Sequence, residues 1–436
     1  MKAKNIWTQF SSLPLIYLLL WSAIFATSLV LNFYFESPIN QILSYGAHDL
    51  PSNAGDIDVS SANFGVHFFG DFMLPFEWSL YTNPWIEYQA TVVSYPPVPI
   101  YLLKLLHPFS YMTGLLIYLS TLIALSFGCL MYLLRGLEVY TRTVFTIFCG
   151  LLSGPFLVAL DRGNNVAFLL PLMAGFIIAF TKKKKKWTIA LLAIMVSIKV
   201  YPIFFIILLL KFRWFKESIQ TLLAVLFLNF ALVLATPGPI DATIKSIWNG
   251  IAGFSSQPLL GMGYQNTSLI GSLENLFFNQ NIMIDGTILF SIQLMCACVL
   301  LVSIFLADKR NVWLIVLLCG LLMYVFAPIL YAYFWVWLVP VLALAIRDEV
   351  IAEEDKHFHE SSTIILVKKL IILANLMVLL PWIFELPFGS TIPQIGLRSS
   401  LIVLVVFASF LTTTVGVLVI ALYSSKGNKP LSVAPK

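Results

Sequence analysis

A handful of polar and charged residues interrupt the long apolar stretches of this chain. Asp71 stands among Phe68, Phe69, Phe72 and Phe76, and upstream lies the pair Asp56-Ile57-Asp58. Further on come Asp161-Arg162-Gly163-Asn164-Asn165, Lys199-Val200-Tyr201-Pro202 and Tyr264-Gln265-Asn266-Thr267-Ser268. Carboxylates in one loop and cations in others suit a reaction that releases a proton and an anionic leaving group together. Transfer of a sugar from a lipid phosphate to a hydroxyl is such a reaction. The carboxylate takes the hydroxyl proton as general base, and the cations stabilise the phosphate as its bond to the sugar breaks.

Asp71 is the first candidate for the base. Asp56 and Asp58 compete with it, either as the base or as ligands of a divalent cation. They also read as part of a solvated loop in which Pro51, Asn53 and Gly55 form turns. Lys199, Arg162 and Tyr201 are candidates to bind the phosphate. An ionisable residue at membrane depth is costly and usually marks function, although a lysine can also snorkel to the interface. Arg162 can instead pair with Asp161 or with a lipid headgroup. Asn164, Asn165, Gln265 and Asn266 offer amides to a sugar or acceptor, and His67 is a candidate partner of Asp71. Asn266-Thr267-Ser268 also matches a glycosylation acceptor or a plain turn.

The elements that position these residues follow from composition. Hydrophobic residues make up 59% of the 436 and charged residues 11%, against about 25% charged in a soluble domain. Mean hydropathy is +0.91. Apolar runs recur from Leu13 to Leu422, and runs of roughly 17 to 25 residues read as spanning helices. We expect an all-α polytopic membrane protein, one membrane domain over 1–436, with about 11–13 segments at that length. The five cysteines all fall inside apolar runs, which argues against a disulfide framework and a zinc site. The net charge of +5 includes five consecutive lysines, and nothing points to nucleic acid. No cofactor is indicated beyond the metal that Asp56 and Asp58 hint at.

Lys and Arg in short loops set orientation. Lys2 and Lys4 place the N-terminus in the cytoplasm, ahead of an uncleaved first helix. The stretch 34–97 carries seven carboxylates and no Lys or Arg, so it reads as a first outer loop. Val98 to His107 is too short to span. Lys182–Lys186 marks the cytoplasm, as do Arg135 and Arg142. Trp187 to Leu210 has basic residues on both flanks and Pro202 inside, so a broken pair of short helices is expected. Non-helical backbone at membrane depth survives only in protein or beside a cavity. A second outer loop follows over 236–285. Val312 to Leu330 and Phe334 to Ile346 read as a hairpin, 347–363 as a cytoplasmic loop, and the C-terminus as cytoplasmic.

At these residues the chain resembles the polytopic glycosyltransferases of the GT-C class, most closely glycosyltransferase family 87, the polyprenyl-phosphate-mannose type. The matching pieces are Gly70-Asp71-Phe72, Tyr95-Pro96-Pro97, Arg162-Gly163-Asn164-Asn165, Lys199-Val200-Tyr201-Pro202 with Lys211-Phe212-Arg213-Trp214, and Tyr264-Gln265-Asn266-Thr267-Ser268. Their order and topology agree over roughly residues 10 to 350. The family's usual Gly-Gln-x-Asn stands here as Gly163-Asn164-Asn165. The resemblance implies an inverting hexosyl transfer with an aspartate of the first outer loop as base, best matched by Asp71. It also implies a polyprenyl-phosphate sugar donor, a glycolipid or glycan acceptor, and a place among the lipids of a bacterial cytoplasmic membrane. An envelope polysaccharide polymerase or ligase with a lipid-pyrophosphate donor, and a secondary transporter or flippase, are the alternatives. Transporters commonly carry internal repeats, and none is evident here.

Overall fold

A computed structural model describes residues 10–35, 69–88, 93–255, 266–278, 285–354, 360–380 and 394–427. Among them there is no β-strand, only an isolated bridge between Arg135 and Leu137. Hydrocarbon offers the backbone no partners, so a chain this apolar satisfies its own N–H and C=O groups within helices.

In chain order the helices are α1 (Leu13–Phe35), α2 (Gly70–Leu80), α3 (Pro84–Glu87), α4 (Pro97–Lys104), α5 (Tyr111–Leu133), α6 (Val139–Leu151), α7 (Gly154–Arg162), α8 (Leu169–Thr181) and α9 (Lys185–Ile198). They continue with α10 (Ile206–Lys211), α11 (Phe215–Leu234), α12 (Ile240–Ser255), α13 (Leu269–Phe278), α14 (Gly286–Leu306), α15 (Val312–Phe326), α16 (Leu338–Glu354), α17 (Ser362–Val378) and α18 (Gln394–Gly427). The protein is an all-α polytopic membrane protein.

Among the described residues α5, α11 and α14 are long and apolar enough to span alone, and only a minority of each is buried. They form the lipid-facing rim. The centre is α15 and α16. Every residue from Trp313 to Val325 and from Leu338 to Ile346 is buried, the all-round apolar pattern of a helix enclosed by others.

The central helices are short because they are broken, and the breaks follow from sequence. The apolar run from Val144 to Leu160 falls in two helices, α6 and α7, bent by 50°. Pro155 has no N–H to continue the ladder, so the helix restarts at Gly154. The run expected over Val312 to Leu330 stops at Phe326. Pro328 follows, Ala327 is extended (φ −69°, ψ 126°), and a residue near a proline is pushed out of helical geometry. A short 3₁₀ turn, Ala332–Trp337, precedes α16, which runs beyond Arg347 to Glu354 into the expected cytoplasmic loop. Lys199 and Val200 separate α9 from the 3₁₀ turn Tyr201–Phe205 and α10, as the basic flanks and Pro202 predict. Val98 to His107 holds a separate helix, α4, and the turn that follows it.

At the end of the bundle away from these breaks, Lys368 is buried between Glu349 (3.0 Å) and Glu360 (2.8 Å). Trp313 Nε1 donates to Glu349 at 2.9 Å. This cluster joins α15, α16 and α17.

Candidate functional site

The breaks at Lys199 and after Phe326 meet beside the end of α7, where the start of α2 is clipped to it. Phe69 adopts a left-handed conformation (φ 54°), and its N–H donates to the Asp161 carbonyl at 2.7 Å. Its own carbonyl accepts from Phe72 and Met73 and so begins α2. A non-glycine residue with positive φ beside a candidate site stores strain that its surroundings must hold. Opposite it, Gly163 ends α7 at φ +63°. A Cβ on Gly163 would lie 2.6 Å from Phe72 Cβ, so only glycine admits this approach.

The clip sets Asp71 over Arg162 and Asn164. Arg162 donates from Nε to Oδ2 at 2.6 Å and from Nη2 to Oδ1 at 3.2 Å. This is a bidentate ion pair, the stronger and more directional kind. Asn164 Nδ2 donates to Oδ2 at 2.7 Å, while its Oδ1 accepts the Val166 N–H at 2.9 Å. One side chain thus caps the 3₁₀ turn Asn165–Phe168 and orients the carboxylate. Asp71 keeps 22% of its side chain exposed and Arg162 12%, so the pair is open on one side. Asn165 is buried; its Oδ1 accepts from Tyr118 Oη at 3.3 Å. Its Nδ2 has no acceptor among the described residues.

Aromatic rings enclose the cations. Lys199 Nζ sits 4.7 Å from the Tyr95 ring and 5.8 Å from the Phe334 ring. Arg162 lies 5.9 Å from Tyr331 and 5.5 Å from Tyr333. Such contacts hold a cation without neutralising it. Lys199 is half-buried at the break, close enough to Asp71 to interact with its charge. The Tyr201 ring packs edge-on against Phe334 at 5.5 Å.

The structure therefore brings together Asp71, Arg162, Asn164, Asn165, Lys199 and Tyr201. The arrangement holds an oriented carboxylate beside two cations, and all three lie where helices are interrupted. The profile of glycosyltransferase family 87 matches residues 94–328, more than half of the chain. The chain belongs to that family. No curated protein and no solved structure matches it. The matched stretch contains Tyr95, Arg162, Asn164 and Lys199. Asp71 precedes it and Tyr331 to Phe334 follow it, so folding brings all of these to the candidate site of this glycosyltransferase.

Other expectations fall elsewhere. The transferase's Asn266 is fully buried and bonded to backbone throughout. Its Oδ1 accepts from Ser268 at 3.0 Å and Leu330 at 2.9 Å, and its Nδ2 donates to Pro328 at 2.8 Å. It packs so tightly on Gly271 that a Cβ there would sit 2.3 Å from Asn266 Cγ. Thr267 Oγ1 donates to the Leu330 carbonyl at 2.7 Å and accepts from Trp335 Nε1 at 3.1 Å. Asn266 and Thr267 thus brace the stretch that carries Tyr331, Tyr333 and Phe334. Asp56, Asp58, His67 and Gln265 lie outside the described residues. Among the described residues no group of three or more His, Cys, Asp or Glu is arranged to hold a metal ion. Arg162 was expected at a phosphate, at Asp161 or at a lipid; its side chain engages Asp71. Tyr331, Tyr333 and Phe334 were not anticipated as site residues, and their aromatic run directly after a proline-broken helix was the available signal.

Proposed function

We propose that this glycosyltransferase moves a hexose, mannose-like, from a polyprenyl-phosphate sugar to a glycolipid or glycan acceptor, on the outer side of the membrane and with inversion. Asp71 accepts the proton of the acceptor hydroxyl as its oxygen bonds to the anomeric carbon. The bond from that carbon to the phosphate oxygen breaks, and the phosphate leaves with the electron pair. Lys199 stabilises that developing charge, with Tyr201 beside it. Arg162 spends two N–H groups on Asp71, and its charge adds to that of Lys199 beside the leaving phosphate. Asn164 aims the carboxylate, and the buried Asn165 Nδ2 is a donor awaiting a substrate oxygen.

The observation that carries this reading is the Asp71–Arg162–Asn164 cluster at 2.6 to 3.2 Å. A base needs fixed orientation more than contact number, and three directed bonds supply it. The test is Asp71→Asn in purified enzyme supplied with polyprenyl-phosphate mannose and a glycolipid extract. General-base catalysis contributes about 10²- to 10⁴-fold, so transfer should fall by that much while the fold persists. Near-normal transfer by this variant would remove Asp71 from the mechanism.

A further inference from the structure

α12 divides into three strips. Thr243 and Gly250 are buried, with Ser246 and Ile247 beside them half-buried; this strip faces protein. Asp241, Lys245 and Asn249 form an exposed polar strip. Between the two, Ile240, Ile244 and Trp248 are 43%, 44% and 70% exposed. Residues four apart fall on one helix face, so these three make a continuous apolar ridge along an otherwise amphipathic helix.

The docked strip is well held. Asn83 Nδ2 donates to the Pro237 carbonyl at 2.8 Å and to Thr243 Oγ1 at 2.9 Å. Ser246 Oγ donates to the Trp85 carbonyl at 2.6 Å, and Tyr101 and Thr236 share a hydrogen bond of 2.9 Å. The helix is therefore fixed to α3, and its Ile247 packs on the apolar cluster of Trp78, Trp85, Tyr95 and Ile100 that ties α3 to α2 and α4. Its ridge begins a few residues after the end of α11. Phe227, Phe230 and Leu234 of α11 are 75%, 51% and 53% exposed in a spanning helix, so they face lipid. Exposed apolar surface thus passes directly from a lipid-facing helix onto the ridge, with Leu80 and Ile86 exposed nearby.

We propose that α12 lies along the membrane surface on the Asp71 side, with Ile240, Ile244 and Trp248 among the acyl chains of that leaflet and Asp241, Lys245 and Asn249 in water. The occupant of the ridge is the bilayer itself, because the ridge is continuous with surface already in lipid and is bordered by a polar strip. Helices of this pattern sink about 5–10 Å into the boundary of headgroups and acyl chains. Through α3 and that cluster, the start of α2 with Asp71 is held near headgroup depth, where the phosphate of a lipid-linked substrate resides. This last consequence rests on the proposed function; the placement of α12 does not.

The test is photo-crosslinking in proteoliposomes. Benzoylphenylalanine replaces Trp248 in one preparation and its neighbour Asn249 in another, and lipid adducts on the α12 peptide are counted by mass spectrometry. We expect roughly tenfold more adduct at 248 than at 249, since the two face acyl chains and water respectively. Equal adduct at both positions would overturn the proposal, as would a protein–protein crosslink at 248. The unmodified protein provides a check on folding: a phosphatidylcholine with a diazirine on the first few acyl carbons, next to the glycerol, should label Ile244 and Trp248 and spare Asp241 and Lys245. Absence of label on the ridge overturns the placement even if transferase activity behaves as proposed.

Discussion

Gly163→Ala perturbs the site without touching any polar group in it. The added Cβ would sit 2.6 Å from Phe72 Cβ, where ordinary contact begins at 3.4 Å. The difference, 3.4 − 2.6 = 0.8 Å, is the distance that α2 and the end of α7 must part. Both atoms lie one residue from groups that matter, Asp71 on one side and Arg162 and Asn164 on the other. A shift of nearly 1 Å in that register carries the carboxylate off its bonds to both partners. A misplacement of about 1 Å costs about 10²-fold in rate. The left-handed backbone at Gly163 adds about 1–2 kcal/mol of strain for alanine, and the overpacking about 1–3 kcal/mol. Transfer from polyprenyl-phosphate mannose in proteoliposomes should therefore fall about 10²-fold in kcat, with thermal unfolding several degrees lower by the same strain. The Asp71→Asn enzyme serves as the floor of the assay. Transfer within about threefold of wild type, less than a 1 kcal/mol effect, would refute the idea that this contact sets the carboxylate.

Other outcomes follow from the same geometry. Arg162→Lys keeps the charge but loses the planar fork; losing one charge-assisted bond of about 1.5–3 kcal/mol should lower kcat about 10- to 150-fold, and full activity would show that charge alone suffices. Asn266→Ala strands the buried N–H groups of Ser268 and Leu330 at about 1–3 kcal/mol each. We therefore expect a lower unfolding temperature with an unchanged acceptor KM. A raised KM in a fully stable variant would instead place Asn266 on substrate. His107, in the turn after α4, shares a 2.7 Å hydrogen bond with Ser79, whose own hydroxyl donates to Phe76, so the imidazole Nε2–H is the donor. Burial, then the charge of Lys104, pushes His107 below its usual 6.5. The unfolded chain thus binds the proton more readily. The stabilisation is complete above about pH 6.5 and is lost as pH falls through the lower folded value. Thermal unfolding should drop more steeply on acidification for wild type than for His107→Gln; parallel curves would exclude His107 as the source.

Some of this protein was legible in order along the chain. Apolar runs and sparse charge determine an all-helical membrane protein, because lipid leaves the backbone no other partner. Pro202 between basic flanks determines the break beside Lys199, since proline lacks the donor that a continuous helix needs. Asp71, Arg162, Asn164 and Lys199 stood out because charged and amide groups are rare against such a background. Rarity marks a residue without naming its partner. That Arg162 engages Asp71 and not Asp161, its neighbour in sequence, depends on how α2 crosses the end of α7. Asn266 looks like a sugar-binding amide in sequence and is a backbone brace in the fold, because burial and hydrogen-bond partners are properties of packing. The aromatic wall of Tyr95, Tyr331, Tyr333 and Phe334 is likewise a tertiary fact: its rings come from segments more than two hundred residues apart. Short-range chemistry determined the helices and their interruptions. Long-range closure decided which interruptions meet, and so where a carboxylate and two cations share one pocket.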